Sequence, residues 1–260
     1  FNKLITIGLI GVTYLFGQVE LLNPRFKFTP GIRYDQSISS PKDYLGYELG
    51  TEYTLYSDVL SYLRTLGKES DRVSIHPYGK THEGRDLEYL VITGGKNRNR
   101  LDDIQKNNQR LADPRSINPA VAKKIIRENP GIYWLSYNVH GNEASSTEAV
   151  MQVAYRLAAG KDRETQTILD NSVVILVPCI NPDGRDRYVY WYKSAQSHVT
   201  NADQFDYEHD EPWPGGRTNH YWFDLNRDWV WMVHPESKGR IAAYQEWLPQ
   251  IHVDYHEMGF

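Results

Sequence analysis

Two residues that could bind a metal ion lie in one short segment of the chain. His140 and Glu143 stand three residues apart, after a strand-like run and before a helix-like run. In a tight turn, an imidazole and a carboxylate at this spacing can chelate one metal ion. Open α/β sheets place their ligands at the carboxyl ends of strands, which is where this pair stands. Alone, the pair also fits a surface histidine and a helix-capping glutamate.

A third candidate ligand stands near the end of the sequence. The alternating apolar residues at 250–255 predict a strand, and His256 follows it directly. Because the carboxyl ends of neighbouring parallel strands meet at one edge of a sheet, His256 can join His140 and Glu143. Two histidines and one carboxylate leave a fourth position for water, as in catalytic zinc sites. His252 competes for this role, but it lies deeper on the same strand face and suits a core or edge position.

Two polar motifs lie between these ligands. Asn-Pro-Asp-Gly at 181–184 follows a buried strand and is typical of a turn. Asp-Leu-Asn-Arg at 224–227 is more specific. Arg227 suits bidentate binding of a carboxylate, and Asn226 can donate to the same anion. Asp224 can hold the imidazole of a metal ligand.

The elements that must position these residues alternate between helix and strand, which indicates an α/β fold. Ser145 and Glu148 have the spacing of a capping box at the start of a helix that Gly160 can close. A long aromatic and polar stretch follows residue 179 and runs to about residue 231. The predicted helices are 55–66, 119–128, 145–159 and 235–247, and the predicted strands are 87–93, 132–137, 172–179 and 250–255.

Composition limits the class of protein and the kind of site. The chain has 260 residues, 40% of them hydrophobic and 24% charged, which is typical of one globular domain or two small ones. Its 29 Lys and Arg against 33 Asp and Glu give a net charge of −4, which argues against nucleic-acid binding. There is no glycine-rich phosphate loop and no internal repeat. A single cysteine, Cys179, excludes an internal disulfide and a thiolate-rich metal site, so a metal must use histidines and carboxylates.

The N-terminal residues predict export. Lys3 precedes an apolar run at 4–16, which is too short to span a bilayer but suits the core of a signal peptide or signal anchor. We therefore predict a signal peptide at 1–18, a lead-in linker at 19–46 and a catalytic domain at 47–260. The expected location is secreted or periplasmic, in the cell envelope, with no membrane contact beyond the signal segment.

With its ligand pair, the two polar motifs and His256 in this order, the sequence resembles the zinc metallocarboxypeptidases of the carboxypeptidase A/B type. The resemblance runs from about Tyr47 to the last residue. It implies a three-layer α/β/α sandwich around a mixed, mostly parallel central sheet, and one Zn²⁺ per chain. It also implies roles for six residues: His140, Glu143 and His256 as zinc ligands, Asn226 and Arg227 as the clamp for the substrate's C-terminal carboxylate, and Asp224 as the partner of His140.

The sequence departs from the family pattern in two places. The family uses an arginine between the two polar motifs to stabilise the oxyanion, and here Arg185, Arg187 and Arg217 all fall in that interval. We favour Arg217, because Gly215 and Gly216 allow the backbone to approach closely. The family's general-base glutamate lies after the third ligand, so we expect either that this sequence is a fragment of a longer protein, which we favour, or that the base is lost. Glu257 is the only nearby substitute, and its side chain should point away from the metal.

The resulting hypothesis is an exported zinc metallocarboxypeptidase that acts, as a monomer, on peptides or proteins with a free C-terminal carboxylate. The alternatives are a zinc amidohydrolase of cell-wall peptides or acylated amino acids, and a non-catalytic module that retains zinc. The aromatic clusters at 188–192, 221–223 and 229–231 suit core or cleft walls better than sugar or base stacking. No role is predicted for the remaining histidines, which are His76, His82, His198, His209, His220 and His234.

Overall fold

The computed structural model describes residues 28–258 except Pro114, Ser116 and Thr200. The predicted signal peptide at 1–18 and the first part of the predicted linker lie outside the described residues. Among the described helices, none is both long and apolar enough to cross a membrane.

A five-stranded mixed sheet forms the centre of the described chain. The strand order is β1-β2-β4-β3-β5, where β4, β3 and β5 run parallel and β1 and β2 are added in antiparallel pairing. The predicted α/β fold with a mixed sheet is confirmed, with two parallel and two antiparallel pairings. The strands are β1 (Val73–Lys80), β2 (Asp86–Ile92), β3 (Gly131–Tyr137), β4 (Ser172–Val177) and β5 (Ile251–Tyr255).

Helices cover both faces of the sheet and give the three predicted layers. On one face α2, α6 and α7 share a core with alternate residues of β2 and β4, such as Leu90 and Leu176. On the other face α4 and α9 pack on the intervening residues, such as Val91 and Ile175. The helices are α1 (Pro41–Leu45), α2 (Tyr56–Glu69), α3 (Gly95–Arg98), α4 (Leu101–Ala112), α5 (Pro119–Glu128), α6 (Ser145–Ala159), α7 (Arg163–Asn171), α8 (Pro182–Ala195) and α9 (Pro235–Trp247).

The motif at 181–184 starts a helix, so its interpretation as a simple turn was wrong. The Asn181 side chain accepts a hydrogen bond from the Gly184 N–H at 3.0 Å, and Pro182 occupies the first turn of α8. An N-capping asparagine followed by proline is a typical helix start. The aromatic run at 188–192, to which the sequence analysis assigned no helix or strand, therefore lies on α8.

The predicted capping box at the start of α6 does not form. The helix begins after Ala144 without a side-chain cap from Ser145. Glu148 is instead buried, and it accepts hydrogen bonds from the Thr54 backbone at 2.7 Å and from Nη2 of Arg185 at 2.5 Å. A carboxylate paired with a buried arginine is better satisfied there than at an exposed cap. Gly160 does cap the C-terminus of α6, as predicted.

The described part of the predicted linker packs against the domain. Tyr34 forms an isolated antiparallel bridge with Gly160, and the Asp35 N–H donates to the Ala159 carbonyl at 2.8 Å. Ile38 is buried in the core beside α2 and α6. Helix α1 follows, capped by Ser40. The packed structure thus begins before residue 46.

Candidate metal centre

The turn after β3 presents His140 and Glu143 on the same side. Asn138 adopts a left-handed conformation with φ of 57°, and its side-chain amide donates to the carbonyls of His140 at 2.6 Å and of Glu143 at 2.9 Å. Asparagine tolerates this backbone conformation better than most residues. Asn138 thereby shapes the turn, a role that sequence reasoning missed.

The three predicted ligands meet at one point. Nδ1 of His140 lies 2.7 Å from Oε1 of Glu143, and Nδ1 of His256 lies 3.2 Å from Oε2 of the same carboxylate. One ligand atom from each residue lies within 4.8 Å of the other two. His256 arrives at the end of β5, which pairs in parallel with β3, so both strands deliver their ligands at the same sheet edge.

Each histidine is oriented by a carboxylate on its far nitrogen. Nε2 of His140 lies 3.0 Å from Oδ1 of Asp224, and Nε2 of His256 lies 3.4 Å from Oδ2 of Asp254. Because a carboxylate only accepts hydrogen bonds, Asp224 and Asp254 can take the Nε2 proton of each imidazole when Nδ1 binds a metal beside Glu143. Asp254 was not predicted from the sequence, although it stands two residues before His256 on the same strand face.

The charge of Asp224 is secured locally. Burial acts to raise the pKa of this carboxyl, but the Asn226 N–H at 2.8 Å and the neighbouring His140 and Arg217 hold the pKa below its ordinary value. Asp224 therefore remains an acceptor for the His140 imidazole at neutral pH.

The donor set fits zinc. Two imidazole nitrogens and one carboxylate are the ligands of many catalytic zinc sites. His140 is 3% exposed and Glu143 9% exposed, whereas His256 retains 31% of its side-chain exposure, so the cluster is buried on one side and open on the other. A bound cation would satisfy a buried carboxylate that faces Nδ1 of both histidines.

The three candidate arginines occupy different environments. Arg217 reaches the ligand cluster, with Nη1 3.4 Å from Oε1 of Glu143 and Nη2 3.4 Å from Oδ2 of Asp224. Arg185 is fully buried and binds Glu148 and backbone carbonyls. Arg187 donates to the backbone carbonyl of Gly215 at 2.7 Å. The structure thus brings only Arg217 of these three beside the predicted ligands.

The predicted clamp residues lie on a short 3-10 turn. The turn spans Leu225–Arg227 and begins at Asp224, whose side chain accepts from the Asn226 N–H. Arg227 is exposed, and its Nη1 makes a 3.3 Å hydrogen bond to the Asn226 carbonyl. Because Asp224 also contacts His140, the clamp residues and the first ligand are joined through a single side chain.

Three segments near the predicted site meet through their backbones. A Cβ atom on Gly141 would lie 2.2 Å from the backbone N of Arg185 and 2.5 Å from the Gly216 carbonyl oxygen. A Cβ on Gly216 would lie 2.5 Å from the carbonyl oxygen of Gly184. Only glycine permits such close approach, so the ligand turn, the start of α8 and the loop that carries Arg217 form one junction.

Comparison with known proteins identifies the family. A sequence profile described as zinc carboxypeptidase matches residues 59–246 of the chain. The chain belongs to the zinc carboxypeptidase family. Its curated relatives include carboxypeptidase 2 of Trichophyton equinum and of Trichophyton rubrum, each 21% identical over 214 residues. The match covers 82% of this chain but 30% of each relative, so the chain spans about a third of their length.

Solved structures of carboxypeptidases show the same fold. A metallo-carboxypeptidase from Burkholderia cenocepacia superimposes with a TM-score of 0.50 at 17% identity, covering 80% of this chain and 42% of that chain. Thrombin activatable fibrinolysis inhibitor gives a TM-score of 0.50 at 14% identity, covering 85% of this chain and 49% of that chain. The fold and family inferred from the ordered motifs are confirmed.

Two residues near the zinc carboxypeptidase motifs are otherwise engaged. The Glu257 carboxylate accepts from the Ser145 N–H at 2.8 Å at the start of α6, while its own N–H donates to Oε2 of Glu143 at 2.9 Å. Nε2 of His252 lies 2.8 Å from Oγ of Ser136, and its ring packs on Trp229 and Tyr244 rather than at the ligand cluster.

Proposed function

We propose that the full-length protein is an exported zinc metallocarboxypeptidase that hydrolyses the C-terminal peptide bond of peptides or proteins. The observation that carries the proposal is the double contact of Asp224. This side chain holds Nε2 of His140 at 3.0 Å and caps, at 2.8 Å, the turn that carries Asn226 and Arg227. A metal ligand and a carboxylate clamp fixed to one side chain suit a substrate whose free carboxylate lies at a set distance from the metal.

His140, Glu143 and His256 would hold one zinc ion, and Asp224 and Asp254 would keep both imidazoles turned with Nδ1 toward it. When bound, zinc supplies a Lewis acid beside the scissile carbonyl. The chain's own contribution is to fix the three donor side chains. Nε2 of each histidine and Oε2 of Glu143 already have a partner within the protein.

Arg217 is the proposed stabiliser of negative charge on the scissile carbonyl oxygen. Its contacts to Glu143 and Asp224 are both 3.4 Å long, and half of its side chain is exposed. A guanidinium has five N–H donors, so it retains donors for a substrate oxygen while these contacts hold it in place. Asn226 and Arg227 are the proposed binding groups for the terminal carboxylate.

The proposed general base is a glutamate of the full-length protein, as the resemblance implies. Glu257 does not suit this role, because its carboxylate is bonded to both the backbone N–H and the hydroxyl of Ser145. Export is proposed on the apolar run at 4–16 after Lys3.

The test uses the full-length protein and two peptides that differ only in a free or amidated C-terminus. Release of the last residue from the free peptide alone, stopped by a chelator and restored by zinc, is the expected result. Arg227→Gln should raise KM for the free peptide while zinc content stays unchanged. Equal cleavage of both peptides, or activity that survives complete zinc removal, would overturn the proposal; cleavage of an acylated amino acid alone would favour an amidohydrolase.

A further inference from the structure

A second group of metal-binding side chains lies outside the centre described above. It consists of His82, His234 and Glu236, which offer one ligand atom each within 4.8 Å of one another. It shares no residue with the cluster of His140 and its partners. None of the motifs considered in the sequence includes these three residues.

Two separate parts of the fold deliver the group. His82 stands in the turn between β1 and β2, His234 precedes α9 as its N-cap, and Glu236 lies in the first turn of α9. Nε2 of His82 lies 3.0 Å from Nδ1 of His234 and 3.9 Å from Oε2 of Glu236. Nitrogen and oxygen ligands around a zinc ion, each about 2.0–2.2 Å from it, stand at comparable separations.

The carboxylate of Glu236 gives independent evidence for a missing ligand. Glu236 is 1% exposed, and within the described chain its Oε2 atom has no hydrogen-bond partner. Oε1 receives a long contact from the His82 N–H at 3.4 Å. A buried carboxyl oxygen without a partner is costly, so native proteins pair such groups or use them to coordinate metals.

Both imidazoles are held toward this carboxylate. The ring of His82 packs edge-on against Tyr221, with centroids 4.6 Å apart, and that of His234 packs on Phe223 at 4.7 Å. The backbone of His234 is fixed by its N–H donating to Asp228 at 2.9 Å. His234 is buried, whereas the His82 side chain is 25% exposed, so the group has one opening to solvent.

We propose that His82, His234 and Glu236 bind a second divalent transition-metal ion of the zinc class. The ion would join the β1–β2 turn to the start of α9. It would thereby brace the loop from Asn219 to His234, which carries the 3-10 turn of the carboxylate clamp. The proposed role is to link these two parts of the fold.

Asn219 makes this site weaker than the first. Its side-chain N–H₂ lies 3.0 Å from Nδ1 of His234, and its Oδ1 is fixed by accepting from the Tyr221 and Phe223 N–H groups. A metal at Nδ1 must replace that hydrogen bond, whereas no such donor faces Nδ1 of His140 among its described contacts. Zinc should therefore fill the His140 centre first.

The test measures zinc per chain in the full-length protein by elemental analysis after titration, together with zinc-dependent thermal stabilisation. The wild type should bind two ions in sequence. His82→Gln should lose only the weaker ion, and His220→Gln, which changes a neighbouring histidine outside the group, should keep both. His140→Ala should lose the tighter ion and keep the weaker one, which separates this proposal from the proposed carboxypeptidase function.

Asn219→Asp provides a gain-of-affinity test. An aspartate can still accept from the Tyr221 and Phe223 N–H groups, and its second oxygen would take the place of the N–H₂ group near His234. The weaker ion should then bind at least tenfold more tightly, an expected effect on the order of one added charged ligand. A single ion in the wild type, two ions in His82→Gln, or no tightening in Asn219→Asp would each overturn the proposal.

Discussion

Nε2 of His140 lies 3.0 Å from Oδ1 of Asp224, so a carboxylate from the clamp turn holds the nitrogen of this histidine that does not face Glu143. Asp224→Ala should weaken zinc affinity about 10–100-fold, since partners of this kind have effects of that size. Asp224→Asn is the matched control, because an amide oxygen can still accept from both His140 and the Asn226 N–H. Competition with a chelator of known affinity measures the difference. Equal affinities in the wild type and the alanine variant would contradict this reasoning.

Arg217 should matter for turnover and little for stability. Its side chain is half exposed, and its two ion-pair contacts are long. Arg217→Ala should lower kcat about 10²–10³-fold, the usual effect of losing one oxyanion donor. Steady-state kinetics on a free-carboxylate peptide measures the loss, and zinc content with urea unfolding provides the controls. An unchanged kcat would exclude Arg217 from the reaction.

Arg185 should show the opposite behaviour. It is fully buried, and its Nη2 lies 2.5 Å from Oε1 of Glu148. Arg185→Met leaves that carboxylate buried without its cation, which should lower the free energy of unfolding by about 3–5 kcal/mol. The double variant Arg185→Met/Glu148→Gln should recover part of the loss in chemical denaturation. If the double variant is no more stable than the single one, the pair is not the source of the stability.

Gly141 should tolerate no larger side chain. The obstacles to a Cβ atom there are backbone atoms of the residues at 184, 185 and 216, which cannot move by a change of rotamer. Gly141→Ala should destabilise the protein by about 1–3 kcal/mol or more and weaken zinc binding. Gly95→Ala, at a position with no atom within 4 Å of the added methyl group, is the control. Similar unfolding free energies for the two variants would contradict the close backbone packing at Gly141.

Cys179 should be unreactive in the native protein. Burial raises the pKa of its thiol to about 12 from an ordinary value of 9.0, and the residue is 0% exposed. A maleimide at pH 8 should label it only after denaturation. Because the unfolded chain loses this proton at lower pH than the folded chain, the thiol's contribution to stability should fall as pH rises from about 9 toward 12. Cys179→Ala should lack that part of the pH dependence; rapid native labelling would contradict the burial.

The clustering of the three predicted ligands could be anticipated because His140 and Glu143 lie in the turn after one predicted strand and His256 directly follows another. Parallel pairing of β3 and β5 places the ends of these strands together. Helices α5, α6 and α9 were predicted at their observed bounds. Helices α5 and α9 each begin with a proline in the first turn, which is a clear start signal.

Other elements of the fold were harder to predict from the sequence. Helix α4 buries only Ile104 and Asn108, so its apolar face is too narrow to be recognised. Helix α8 was missed because Asn-Pro-Asp-Gly suits a turn as well as a helix start. Asp254 and Asn138 could not be assigned because their roles depend on contacts that only the folded turn and strand create.

The junction at Gly141, Gly184 and Gly216 also determines where the length of the chain can change. Residues 185–215 form a long connection that starts at this junction, at the beginning of α8, and returns to it at Gly216. Both ends of the connection are held by backbone contacts that leave no room for a side chain. Lengthening such a connection costs little chain entropy, because its ends meet at the same place whatever its length. The segment between the two polar motifs can therefore change in length and so form different walls of the cleft. A single methyl group added at either end of it is not tolerated.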